Sequence, residues 1–215
     1  MSTDDRGAET LANMEVLSAR LLHDLAGSVG SMASYVECLV EDPDSESVLD
    51  SLEEASEEII ARFRLLRQAY SASEDNSDIE KTRNNIEQYL SKRGIAQLTW
   101  EIKIQFADAE LMEKVNRLLA HAALLSTMLM IRGSEVAVSV DATAGGDVQL
   151  RIKLTAGEVE MHRDIESVLI YRATDECQLN TRNVQAYFMS LLLIRYCAAF
   201  CYDAGNSVIE ITLPH

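Results

Sequence analysis

A pair of apolar stripes on either side of one proline constrains this chain more than any other feature. Before Pro43, Leu17, Leu21, Leu25, Ser28, Met32, Tyr35 and Leu39 recur at steps of three or four residues. At about 100° per residue they fall within roughly 40° of one line along a helix. After it, Leu49, Leu52, Ser56, Ile59, Phe63, Leu66 and Tyr70 repeat the alternation as a heptad-type seam. The second helix carries Glu53, Glu54, Glu57 and Glu58 early and Arg62, Arg64 and Arg67 late, which complements the helix macrodipole. The spacing predicts one helix from near Ala8 to about Glu41 and a second from near Ser45. Asp42-Pro43-Asp44-Ser45 is so short a link that the two must form an antiparallel hairpin. At about 1.5–3 kcal/mol per large side chain buried, such seams call for a second layer. Two hairpins from two chains in a four-helix bundle supply it, so a homodimer is expected.

On the first helix His23 lies about 200° from Leu21, on the face turned away from the seam. Ala19, Ala26, Gly27, Gly30 and Ser34 surround it, all small. Two glycines inside a helix each cost about 1 kcal/mol relative to alanine, and close approach of a partner is one thing that offsets the cost.

Beyond a polar linker, Ser71–Ser77, the character changes from long helices to mixed elements. A helix is expected over 78–93 and a strand over 96–104, followed by a deeply apolar helix from the cap Asp108 to about Ile131, with Gly133 after it. Strands follow over 135–141 and 148–155, then helices over 158–172 and 181–203 with Asn180 as cap, and a last strand over 207–213. The fold class is therefore α+β: a helical hairpin over about 8–73, then an α/β sandwich over about 78–213.

With 35 acidic against 19 basic residues the net charge is −16, which argues against nucleic acid as a partner. No apolar run reaches the ~18 residues a membrane helix needs, and the acidic start, MSTDDRGAET, is not a secretory signal. A cytoplasmic protein is expected. Cys38, Cys177, Cys197 and Cys201 lack metal-ligand spacing and read as buried free thiols. His121 falls in the apolar helix as a core residue, His162 on a helix surface, and His215 at the end.

His23-Asp24-Leu25 followed by Val29-Gly30 resembles the phosphoacceptor stretch of the ChpT-type histidine phosphotransferases, H-D-L-x-x-P-V-G. The two-part order and the segment LNTRNVQAYFMSLLL fit that family too, although Gly27 and Ser28 stand where Ser and Pro are usual. The resemblance implies a dimeric bundle and a second domain like a histidine-kinase ATP-binding domain that has lost ATP binding. It implies a phosphorelay in which His23 takes a phosphoryl group from one receiver-domain aspartate, on a hybrid histidine kinase, and passes it to another on a response regulator. No cofactor is implied beyond Mg2+ in the partner receiver.

The chemistry agrees with that reading. An imidazole with the reference pKa of ~6.5 is a competent nucleophile at neutral pH. Asp24 is placed to orient the ring and Arg20 to offset phosphate charge, while Ala19, Ala26, Gly27, Gly30, Ser31 and Ser34 form the expected docking face. No Asp-x-Gly-x-Gly occurs, and Gly145-Gly146 falls in a predicted hairpin, so backbone N–H groups to cradle a triphosphate are missing. Two other classes compete: an active ATP-dependent histidine kinase, and a dimeric adaptor that binds response regulators without chemistry.

Overall fold

A computed structural model describes residues 3–71, 74–106, 108–170 and 179–214, without the side chains of 3–9 and 74–75. Ala72, Ser73, Arg172, Cys177 and His215, which figure in the sequence expectations, lie outside the described residues. Helix α1 (Thr3–Glu41) begins earlier than expected and α2 (Glu46–Tyr70) returns beside it. All seven residues of the first seam are at least partly buried, and Ser28 is buried. On α2, Leu49 and Phe63 depart from the expected seam. They are 48% and 50% exposed and turn outward beside Ile60, while Ala61, Leu65 and Ala69 are buried on the far side.

That far side is covered by α3 (Ile79–Ser91) and α4 (Ala109–Leu129). Asp78 caps α3 by accepting from the N–H groups of Glu80 and Lys81, and Asp108 caps α4 by accepting from that of Leu111. Five strands form one sheet: β1 (Gln97–Ile102), β2 (Met130–Ala142), β3 (Val148–Val159), β4 (Ala199–Asp203) and β5 (Val208–Leu213). Their order is β1-β2-β3-β5-β4, with only β1–β2 parallel, because α4 makes the crossover between them. Val136, Val138, Val140, Leu150, Ile152, Leu154, Ile209 and Ile211 point to the helical layer. The alternate positions, among them Arg151 and Glu210 paired at 2.8 Å, face away from it. The core is continuous with α2 through Leu65, Leu66 and Ala69.

Three expectations fail here for identifiable reasons. Gly133 does not follow α4 as a stop. It sits inside β2 at a register shift, where a Cβ would come within 3.1 Å of Ile95 Cγ1. The helix expected over 158–172 is only α5 (Arg163–Leu169), because β3 runs on to Val159. The helix expected over 181–203 stops at Arg195 as α6 (Val184–Arg195); Cys197 takes φ 54° and turns the chain into β4. The thiols of Cys38, Cys197 and Cys201 are free but exposed, not buried. Among the described residues no helix is long and apolar enough to cross a membrane.

The end of α2 is tied down by polar side chains. Arg117 Nε donates to the Ala69 carbonyl at 3.0 Å and His121 Nε2 to the same oxygen at 2.8 Å. Asn116 donates to the Asn76 carbonyl, and Asn76 in turn to that of Gln68. These carbonyls belong to or follow a helix end that lacks intrahelical donors. His121 stands among Tyr70, Phe188 and Arg117, and burial pushes its pKa down to about 3. The unfolded chain binds this proton below about 6.5 while the native state refuses it until about 3. Stability is therefore lost as pH falls across that window, by about 2 kcal/mol at pH 5. In His121→Gln, the loss of stability between pH 7.5 and 5, measured by urea unfolding, should shrink by about that amount.

Candidate functional site

The helix period sets four faces on α1. One meets α2. A second, turned by roughly 90°, carries the exposed apolar residues Leu11, Leu22, Val29, Val36 and Val40. A third carries His23, and a fourth carries Arg20 and Asp24.

The His23 side chain is 82% exposed. Ala19, Ala26, Gly27, Gly30, Ser31 and Ser34 are all exposed, and a Cβ added at Gly27 or Gly30 would meet nothing within 4 Å. The cleared face expected around the histidine is thus present as geometry. Ser31 turns its hydroxyl back to the Gly27 carbonyl at 3.2 Å.

Asp24 is 15% exposed and its carboxylate is engaged: Arg20 Nε donates to Oδ2 at 3.0 Å. Oδ1 lies 3.8 Å from His23 Nδ1, adjacent but beyond hydrogen-bond length. The aspartate therefore stands next to the ring, fixed by the arginine one turn earlier. Arg20 NH1 also donates to the Thr181 carbonyl at 3.2 Å, which pins this face of α1 to the approach to α6. Two residues that sequence reasoning missed complete the arrangement. Arg62, on α2, donates to the Asp24 main-chain carbonyl and lies 3.5 Å from Glu58. Asn13 donates to the Tyr187 hydroxyl at 3.4 Å. Arg62 appeared in the sequence only as part of a charge gradient, and nothing linked Thr181 to residue 20. Through Ser28, α1 continues as an unbroken helix.

The other histidines do not join this face. His121 is 1% exposed in the core, and His162 caps the start of α5 beside Asp164. Among the described residues no three His, Cys, Asp or Glu side chains are grouped to hold a metal ion.

A hairpin carrying an exposed histidine, packed on a five-stranded α/β sandwich, defines a class, and comparison with known proteins identifies it. The family model for the histidine phosphotransferase C-terminal domain matches residues 79–207. The chain belongs to the histidine phosphotransferase family. A solved bacterial phosphotransferase shares the fold with a TM-score of 0.76 at 20% identity, over 100% of this chain and 98% of that one. Looser likenesses bear no weight at their scores. They include the Erythrobacter litoralis EL346 blue-light activated histidine kinase (TM-score 0.45, 12% identity, 91% and 61% covered) and the Acinetobacter baumannii histidine kinase AdeS (0.43, 12%, 89% and 96%). No curated protein matched significantly.

Proposed function

We propose that the chain is a phosphorelay shuttle in which His23 is the phosphoacceptor. The observation that carries this reading is a solvent-facing imidazole on a cleared helix face, with a fixed carboxylate beside one of its two nitrogens. With the proton on Nδ1, towards Asp24, the lone pair of Nε2 points outward. Nε2 attacks the phosphorus of a receiver aspartyl phosphate; the P–N bond forms, the acyl P–O bond breaks, and the receiver carboxylate leaves. The imidazole becomes cationic, which the Asp24 carboxylate offsets, as Arg20 does for phosphoryl charge. In the second half-reaction a receiver carboxylate attacks the same phosphorus, and the neutral imidazole leaves. Mg2+ comes with the receivers, and no ATP is used, as the missing glycine motifs indicate. The proteins that supply and accept the group are a hybrid histidine kinase and response regulators, in the cytoplasm.

Residues 8–73 carry dimerisation and transfer, and 78–213 support them. The dimer follows from the outward stripes: Leu22, Val29 and Val36 on α1 and Ile60 and Phe63 on α2 are exposed with no cover of their own. A second hairpin covers them in a four-helix bundle. Light scattering at micromolar concentration should give twice 23.9 kDa, and Val29→Asp with Phe63→Asp the single mass. A single mass for the unaltered chain overturns the dimer.

The reading is tested by incubating purified protein with a labelled phospho-receiver in the absence of ATP. Acid-labile, base-stable label on the chain is expected. Binding without label, across a panel of receivers, would instead favour an adaptor. The open face gives a second test with effects of opposite sign. A leucine at position 27 would lean toward the helix N-terminus, over the ground beside His23. Gly27→Leu should raise stability by about 0.5–1 kcal/mol and slow transfer by at least about tenfold, read by melting and by single-turnover labelling. Unaltered transfer would mean that receivers do not approach there.

A further inference from the structure

Arg20 and Asp24 also form one wall of a cleft of about 740 Å³ between the hairpin and the sandwich. Five arginines line it, Arg20, Arg62, Arg93, Arg132 and Arg182, against the carboxylates of Asp24 and Asp164. They come from α1, α2, the turn after α3, β2 and the approach to α6, in a chain whose overall charge is strongly negative. Arg20 and Arg62 spend N–H groups on Asp24, Thr181 and Glu58. Arg93, Arg132 and Arg182 are exposed and have no carboxylate partner among the described residues; Arg93 leans on the Tyr89 ring. Guanidinium groups gathered in this way repel one another unless an anion joins them.

A second, independent observation points the same way. Gln185 is 5% exposed and lines the cleft, and its Nε2 is buried without a hydrogen-bond acceptor among the described residues. Arg62 Nε, on another wall, is in the same condition. Buried donors without acceptors are costly and few in native proteins. Both vacancies are for acceptors. Between these polar groups the walls also carry the apolar side chains of Leu66, Ile95, Leu124, Met128 and Ile165, beside Tyr89, Thr127 and His162. A concave space in which apolar side chains sit beside convergent polar groups is suited to a small molecule that carries both kinds of surface.

We propose that this cleft binds a small phosphorylated anion with an apolar portion. Planar forks of N–H donors match phosphate oxygens, and three surplus positive charges suit a multiply charged group better than a single carboxylate. The arginines themselves offer the charge to neutralise the ligand. The site stands on geometry apart from the transfer reading, although an occupant would meet the carboxylate that lies beside His23.

The test is calorimetric titration of the full chain, in buffer containing EDTA, with phenyl phosphate, pyrophosphate and sodium sulfate. Saturable one-to-one binding of phenyl phosphate is expected, tighter than sulfate. It should weaken at least about tenfold in Arg93→Gln/Arg132→Gln, while Arg64→Gln, on the outer face of α2, binds as before. Thermal melting of each variant verifies the fold. Pyrophosphate binding as tightly as phenyl phosphate would assign the site to phosphate alone and overturn the apolar part. No saturable heat with any probe, or equal binding by the double variant, overturns the site. So does a double variant that loses receiver binding when no small anion binds, since the arginines then meet a protein surface.

Discussion

His23→Ala should abolish acceptance of phosphoryl groups, a drop of at least about 1,000-fold, while leaving the fold intact. Transfer between receivers needs an atom that forms and then releases a bond to phosphorus, and this face offers no other nucleophile of that kind. Its serines at 31 and 34 are hydroxyls without a base, and Ser31 is bonded to its own helix. The side chain is 82% exposed and makes no hydrogen bond among the described residues, so truncation removes little packing. Unfolding free energy should change by less than about 0.5 kcal/mol. Those two readouts separate chemistry from structure. Retention of label in His23→Ala would move the acceptor elsewhere, and loss of label together with stability would make the histidine structural.

The largest effect on stability is expected from Arg117→Ala. Arg117 is 6% exposed, yet its charge has no carboxylate partner among the described residues. What holds it is the negative end of α2: Nε reaches the Ala69 carbonyl at 3.0 Å and NH2 the Tyr70 carbonyl at 3.5 Å, while NH1 meets the Tyr196 hydroxyl at 3.4 Å. Truncation strips donors from buried carbonyls, removes a cation from a helix C-terminus and leaves a void beside Phe188. The sum should be about 3–4 kcal/mol in urea unfolding. A loss below about 1 kcal/mol would show that water replaces the guanidinium.

The seam from Leu17 to Leu39 was legible because its seven residues share one helix face and one partner. The outward stripe of Leu22, Val29 and Val36 was not separated from it, since the two faces adjoin and both are apolar. Leu49 and Phe63 were assigned inward for the same reason. The strand β4 was hidden in LLLIRYCAAFCYD, where periodicity is lost and the turn is made by Cys197 without a glycine. His23, Asp24 and Arg20 lie within five consecutive residues, so local spacing was enough to place them on adjoining faces of one helix. Arg62, Thr181 and the arginine-lined cleft depend on tertiary contacts, and no pattern within a window of sequence could reveal them.

The ties that hold the His23 face have a bearing on how the chain is made. Arg20 meets Thr181, and Asn13 meets Tyr187, across 161 and 174 positions. The α1–α2 hairpin needs only neighbours in sequence and can form early in synthesis, whereas these closures wait until α6 has left the ribosome. A truncated or half-made chain would display His23 without Thr181 to hold Arg20 in place. Until α6 is in place, the Arg20–Asp24 pair beside His23 is held by the hairpin alone, so a half-made chain and a finished one present the histidine in different settings.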